Sequence, residues 1–287
     1  MPRERQPSES DPVSASLAQL ERSVAAIQDS DTFRAYLTAQ AKFHQYSFGN
    51  VLLILAQKPD AARVAGYRTW QSLGRQVKKG EKAIRIIAPA YAKKREQVDE
   101  AGEELERQVA FFRSASVFDI SQTEGDPLPE VAVPVLDSHA GAELYAKLET
   151  VALTEGLRVT IGHESFLRRP HMMGFYEPHS RAIYIKEEAQ LQQTKTLAHE
   201  LGHHFAKHQV SGPASETEAE AISYVVLAHQ GLDSGARSFP YIATWSTDPA
   251  VLKAALATIE HVSSAIIRKL DDTQPAVYPD GCHAHSR

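Results

Sequence analysis

Apolar residues recur at helical spacing over residues 13–29 (Leu17, Leu20, Val24, Ile27) and 31–46 (Phe33, Tyr36, Leu37, Phe43). That spacing predicts two amphipathic helices, with Asp31 placed to cap the second. Ser47–Gln57 contains Val-Leu-Leu-Ile-Leu and reads as a short buried helix halted by Pro59, and Tyr67–Leu73 as another, with Gly74 as its C-cap. Lys78–Glu81 reads as a turn opening a strand over 83–91, and a second strand follows over 109–120. The charged stretch 93–108 between them is expected to be a mobile hairpin tip. Residues 122–138 carry Pro127, Pro129 and Pro134 without helical periodicity and read as a linker. Beyond it the pattern predicts a helix over 139–155, strands over 157–161 and 181–185, helices over 194–208 and 215–226, and a long final helix over 248–270. Residues 1–12 and 271–287 are polar and proline-bearing, and are expected to be disordered. The predicted fold class is therefore α+β in two domains, residues 13–121 and a mainly helical 139–270.

The most informative stretch is Thr194–His208, where His199, Glu200 and His203 form an H-E-x-x-H pattern. Residues i and i+4 share one face of a helix, so both imidazoles can hold one ion. Glu200, beside the first, can accept a proton from a water that the ion polarises, which is the zinc-hydrolase arrangement. Leu197, Ala198, Leu201 and Phe205 supply the apolar stripe of a buried helix, and Arg181–Ile185 reads as the edge strand of a peptidase cleft. Ala206 and Gln209 stand where the metzincin pattern needs Gly and His. A third ligand is therefore sought on the next helix, Ser215–Val226. There Glu216 and Glu220 share a face, while Glu218 lies about 200° around the axis. Glu216 is read as the third Zn²⁺ ligand and Glu220 as the carboxylate that holds a ligand histidine in place. Acidic residues are also common at helix N-termini because they suit the helix dipole. His204 and His208 lie off the metal face and read as packing or solvent-facing groups. Tyr184, Tyr224 and His171 are candidates for stabilising an oxyanion.

Charge divides the chain. Residues 31–95 hold 13 Lys/Arg against three Asp/Glu, a local +10 that leaves the remainder of this −5 chain at −15. A polyanion-binding part joined to an acidic part is the simplest reading. The single cysteine, Cys282, excludes a disulfide framework and a cysteine-based zinc site. No apolar run approaches the length of a membrane span and no signal peptide is evident at the N-terminus, so a soluble, cytoplasmic protein without a membrane partner is expected.

Within the basic part, residues 43–89 interleave cations and aromatics: Tyr46, Arg68, Trp70, Arg75, Lys78, Lys79 and Lys82 among them. Charge along a backbone path plus aromatic faces for bases is a recipe for single-stranded nucleic-acid binding. The same pattern suits aromatics in a core and lysines on a solvated turn. Here a resemblance adds to the residues. Tyr46-Ser-Phe-Gly-Asn50, Gln57-Lys-Pro59, Val64-Ala-Gly66, Trp70, Gly74-Arg-Gln-Val77, Lys79-Gly-Glu-Lys82, Ile87-Ala-Pro89 and Val117–Gly125 together resemble the N-terminal domain of ArdC-type antirestriction proteins. That resemblance implies a single-stranded-DNA-binding domain, with Asn50 added to the contact set. The C-terminal half is similar to the ImmA/IrrE-type zinc metallopeptidase domain, whose ligands match His199, His203 and Glu216. Ser238–Trp245 resembles the segment after the second metal helix. One departure is Glu220, where such sequences often carry Asn; if Glu220 reached the metal, Glu216 would become the supporting residue.

The expectation is thus an antirestriction-type protein that protects incoming single-stranded DNA and carries a zinc peptidase with an unknown protein or peptide substrate. Its rivals are a DNA-tethered regulatory or repair metalloprotease, and a pure single-stranded-DNA-binding protein whose zinc is structural.

Overall fold

A computed structural model describes residues 12–26, 30–91, 109–127, 138–163, 165–168, 171–208, 212–232 and 249–273. The chain is mixed α+β and divides into two compact units, Met1–Ala132 with Ser238–Glu260, and Val133–Arg237 with His261–Arg287. The expected hairpin tip, most of the linker, Ser238–Trp245 and Cys282 lie outside the described residues. So do the N-terminal segment up to residue 11 and the tail from 274 on.

In the first unit, α1 (Pro12–Ala26), α2 (Ser30–Lys42) and α3 (Phe48–Gln57) precede a sheet of β1 (Val64–Gly66), β3 (Ile84–Tyr91) and β4 (Val109–Asp119) in the order β1-β4-β3, all antiparallel. The helix α4 (Tyr67–Ser72) follows β1 directly. A second, two-stranded ribbon pairs β2 (Arg75–Val77) with β5 (Thr123–Gly125). The three short strands β1, β2 and β5 are absent from the apolar periodicity because three residues are too few to show a period of two. One of them corrects the linker: Thr123–Gly125 is paired strand, so the first unit extends past residue 121. Gly74 stands one position later than expected, in the left-handed conformation (φ 72°) after the C-cap Leu73.

The core of this unit is Phe33, Tyr36, Leu37, Leu53, Ile54 and Trp70. Its free sheet edge is closed by two amides on one face of α3. Asn50 Nδ2 donates to the Ile87 carbonyl (2.8 Å) and Asn50 Oδ1 accepts from the Ile87 N–H (2.9 Å). One strand repeat away, Gln57 makes the same pair with Arg85, both at 2.8 Å. These side chains replace the strand that β3 lacks and block edge-to-edge pairing. Across the sheet, buried Asp119 gathers the backbone N–H groups of Ala62, Arg63 and Ser121 at 2.7, 3.0 and 2.9 Å. Burial pushes its carboxyl pKa up, but these hydrogen bonds outweigh that and hold it below the usual aspartate value.

The second unit is α5 (Ser138–Thr154), β6 (Arg158–Ile161), α6 (Ser165–Arg168), β7 (Gly174–Glu177), β8 (Ala182–Ile185), α7 (Gln190–Phe205) and α8 (Pro213–His229). Its sheet runs β6-β8-β7, with β6 parallel and β7 antiparallel to β8. This corrects the expectation for Arg181–Ile185: β8 is central, and the edge strand is β7, whose Gly-Phe-Tyr-Glu lacks a β-alternation. The last helix, α9 (Pro249–Asp272), contributes residues to both units. Contrary to the membrane expectation, it is long and apolar enough to cross a bilayer by length and composition. Half of that stretch is buried inside the protein, with Leu256, Ile259, Ile266 and Ile267 fully so, as in a core helix.

Replacing Asn50 with Ala leaves the Ile87 amide and carbonyl half-buried without partners. Unfolding of the full chain in urea is expected to show a loss of about 1–3 kcal/mol, against little change for an exposed control such as Arg68→Ala.

Candidate metal centre

Two helices and one strand build the site. On α7, His199 and His203 sit one turn apart and bring their Nε2 atoms to 3.1 Å. On α8, the Glu216 carboxylate approaches His199 Nε2 at 3.3 Å and His203 Nε2 at 3.6 Å. Three ligand atoms around a tetrahedral ion at about 2.0–2.2 Å stand roughly 3.3–3.6 Å apart, so these residues fit a small divalent cation. His199, His203 and Glu216 form a group able to hold a metal ion.

The convergence depends on how closely α8 crosses α7. A Cβ on Gly202 would stand 3.4 Å from Ala219 Cα, the tight limit of normal contact. Small residues at the crossing let the helices approach until Glu216 reaches the histidines. Gly212 and Pro213 open α8, with the Ser215 hydroxyl accepting the Gly212 N–H at 2.9 Å.

Glu220, one turn beyond Glu216, takes a different place. Its Oε2 lies 3.5 Å from His199 Nδ1, the nitrogen turned away from the convergence point, and its Oε1 accepts from Lys195 Nζ at 2.6 Å. Burial opposes ionisation there, but His199 and Lys195 together hold the Glu220 carboxyl at about 2. His199 shows the reciprocal effect: burial lowers its pKa, while Glu216 and Glu220 more than reverse this and raise it to about 9.

Glu200 faces the strand. Its side chain is 5% exposed, and burial pushes its carboxyl up to about 7, against a hydrogen bond from the Tyr176 backbone. The edge strand β7 comes very close here: a Cβ on Gly174 would fall 2.4 Å from Thr196 Cγ2 and 3.1 Å from Glu200 Oε1. Only glycine allows that approach. The result is a cleft of about 670 Å³ lined by β7 and the facing sides of α7 and α8, including His171, Gly174, Tyr176, Glu200 and Lys195. Of the three oxyanion candidates, His171 lines this cleft; Tyr184 instead stacks on Phe175 with ring centres 4.7 Å apart.

His208 departs from the expectation that it lies away from the site. It lines the cleft, and its Nδ1 stands 2.9 Å from His203 Nδ1. Glu218, expected to point away, meets His208 Nε2 at 2.9 Å. Spacing along a helix could not have found this, because His208 lies beyond the end of α7. His204 does pack off the metal face, against the Tyr176 hydroxyl at 2.9 Å.

In the first unit, the nucleic-acid candidates separate into two groups. Trp70 is 2% exposed with its indole N–H donated to the Phe118 carbonyl, so it has no face to offer a base. Asn50 is bound to β3 through both ends of its amide. Tyr46 donates its hydroxyl to the Val64 carbonyl (3.0 Å). The Arg75 guanidinium bonds Thr123 Oγ1 (2.9 Å) and the Asp126 carbonyl, and Lys78 Nζ bonds the Ser121 carbonyl (3.0 Å). These five fasten the fold, and Trp70, being buried, is corrected as a base-stacking residue. Arg68, Lys79 and Lys82 are exposed. Sequence reasoning did not single out two exposed aromatics on β4, Phe111 (62%) and Phe112 (59%).

Residues 13–118 match the family model for the N-terminal domain of anti-restriction factor ArdC. The first unit carries an ArdC-type domain. An uncharacterized protein of Bacillus anthracis is 24% identical over 272 residues, an alignment that covers 80% of this chain and 46% of that protein; the chain spans about half the length of this curated relative. Two crystal structures of the antirestriction ArdC protein from plasmid R388 are similar to it, each covering 80% of this chain and 86% of that one. The metal-free form is 21% identical with a TM-score of 0.47, and the Mn(II)-bound form 20% identical with a TM-score of 0.49, a likeness too distant to bear on the site.

Gly174→Ala is expected to push β7 off Glu200 and Thr196 and to cost about 1–3 kcal/mol in urea unfolding of the metal-free protein; an unchanged midpoint would mean the strand yields freely.

Proposed function

We propose that this protein couples single-stranded-DNA binding by its ArdC-type unit to a metal-dependent peptidase in its second unit, in an antirestriction role. The observation that carries the enzymatic part is the convergence of His199 Nε2, His203 Nε2 and the Glu216 carboxylate beside a buried carboxyl, Glu200, in an open cleft. Imidazole and carboxylate donors in this number suit Zn²⁺. When bound, the ion supplies Lewis acidity for hydrolysis of a peptide carbonyl. The chain's own groups supply the rest. Glu220 accepts from His199 Nδ1 and so leaves the Nε2 lone pair for the ion. The Glu200 carboxylate, buried at the cleft wall, takes a proton from the attacking water and returns it to the leaving amine. Of the oxyanion candidates, His171 is the one that lines the cleft. A buried acid able to move a proton favours this reading over a purely structural zinc.

For DNA, the supporting observations are the ArdC-type domain and the open face of β3–β4. Register puts Phe112 opposite Pro89 and Ser116 opposite Arg85 on that face, with the exposed Lys82 just before β3. No acidic side chain lies on it among the described residues. Phe112 offers a base a stacking surface, and Arg85, Lys79 and Lys82 offer charge to phosphates.

Zinc titration by chelator competition tests the centre, with Mn²⁺ as a second probe. One equivalent should bind the wild type and none should bind His203→Ala or Glu216→Ala. His199 keeps its proton up to about pH 9 in the metal-free protein, so the ion must displace it. Apparent affinity should rise about tenfold per pH unit from 7 to 9 and then level. Glu200→Gln should keep the metal and lose peptide hydrolysis by at least about 10²-fold; a fully active variant would remove Glu200 from the chemistry.

Binding of the full chain to single- and double-stranded oligonucleotides across a salt series tests the DNA reading. A single-strand preference that weakens steeply with salt is expected, with Phe112→Ala and the pair Lys79→Ala/Lys82→Ala each weakening it several-fold. A flat salt response would sink it.

A further inference from the structure

The two ligand histidines are served unequally at their outer nitrogens. His199 Nδ1 faces a carboxylate, Glu220. His203 Nδ1 faces another imidazole, His208, at 2.9 Å, and the far nitrogen of that ring meets the Glu218 carboxylate at 2.9 Å. All three groups are largely buried. Two imidazole nitrogens in contact can share only one proton, and the chain admits one consistent assignment if His203 presents its Nε2 lone pair. His203 is then protonated on Nδ1 and donates to His208 Nδ1. His208 is in turn protonated on Nε2 and donates to Glu218. Every donor has an acceptor, both rings stay neutral, and the only charge sits on Glu218, at the end away from the ion.

The backbone is bent to make this contact. After α7 ends, Lys207 adopts the left-handed conformation (φ 57°), uncommon for any residue but glycine. The chain closes with the His208 N–H on the His203 carbonyl (3.0 Å) and the Lys207 N–H on the His204 carbonyl (3.1 Å). This is the turn that glycine usually makes at a helix end. Here a lysine makes it, and the turn swings His208 back until its ring meets that of His203 edge-on, centres 5.0 Å apart. Non-glycine residues held in this conformation cluster where the surrounding contacts serve a function.

We infer that His208 and Glu218 form an outer relay that fixes the tautomer and orientation of His203, so that metal affinity at the α7–α8 centre depends on two residues that do not touch the ion. The inference rests on the reading of His199, His203 and Glu216 as ligands. His208 and Glu218 are positioning residues. His208 contributes to the centre through His203, and Glu218 through His208. Outer partners of this kind commonly govern ligand basicity and ring orientation at metal sites.

The test is zinc affinity of the full-length protein by chelator competition for wild type, His208→Ala, His208→Gln and Glu218→Gln, with thermal unfolding of each metal-free form and the visible spectrum of each Co²⁺ form. His208→Ala should weaken zinc about 10- to 100-fold and alter the Co²⁺ spectrum, with the metal-free melting midpoint near the wild type's. Glutamine, which can accept from His203 and donate to Glu218, should restore part of the loss. Glu218→Gln, a partly exposed change, should weaken zinc several-fold and covers the case in which His208→Ala does not fold. Wild-type zinc affinity in His208→Ala and Glu218→Gln would overturn the relay. So would losses of affinity that merely track losses of metal-free stability with an unchanged Co²⁺ spectrum. A wild type that binds no zinc would instead refute the ligand assignment beneath it.

Discussion

The second unit depends on how closely α7 and α8 cross. Gly202 carries no side chain to hold α7 off Ala219 and Ile222 of α8, and that contact sets the distance from Glu216 to His199 and His203. Every charged group of the centre then follows from the crossing. Burial beneath it raises the proton affinity of Glu200, and the same burial makes Lys195 and Glu220 costly unless paired, which they are at 2.6 Å. On the other side, β7 can lie against Glu200 because position 174 is glycine. The cleft is thus made by two missing side chains, one between the helices and one between strand and helix.

How much of this the sequence discloses follows from where each signal resides. The helices with a long apolar stripe, α1, α2, α5, α7 and α9, are legible from periodicity, as are the two long strands β3 and β4. His199, Glu200 and His203 are legible because a helix fixes their relative directions. Glu216 and Glu220 are separable only once two helices meet: both face α7, yet one approaches the Nε2 nitrogens and the other Nδ1 of His199. His208 and Glu218 were out of reach because their meeting requires a left-handed turn at Lys207, and a lysine gives no notice of one. The strand β7 was missed for a related reason, since three half-buried residues, one of them glycine, followed by an exposed glutamate do not alternate.

The first unit teaches a different lesson about charge and aromatics. Tyr46, Asn50, Trp70, Arg75 and Lys78 stand in a segment whose composition suits nucleic-acid binding, yet each spends its polar group on the backbone of this fold. A motif shared along a domain family marks the fold as readily as the ligand. Asn50 and Gln57 close a sheet edge, Trp70 ties α4 to β4, and Arg75 ties β2 to β5. The exposed groups left free of such fold-fastening bonds are Arg68, Lys79 and Lys82, with Arg85 and Phe112 on one face of the sheet, and Phe112 lies later in the sequence than the aromatics that first draw notice.

Zinc K-edge X-ray absorption on the full-length protein loaded with one equivalent of zinc tests the central claim most directly, because it counts the ligands of the ion. The account predicts a first shell of nitrogen and oxygen near 2.0–2.1 Å, with the outer-shell scattering of two imidazoles, and a shell that loses one of them in His203→Ala. One imidazole or none would mean that zinc sits elsewhere. Three would bring His208 into the first shell and contradict both the carboxylate ligand and the relay.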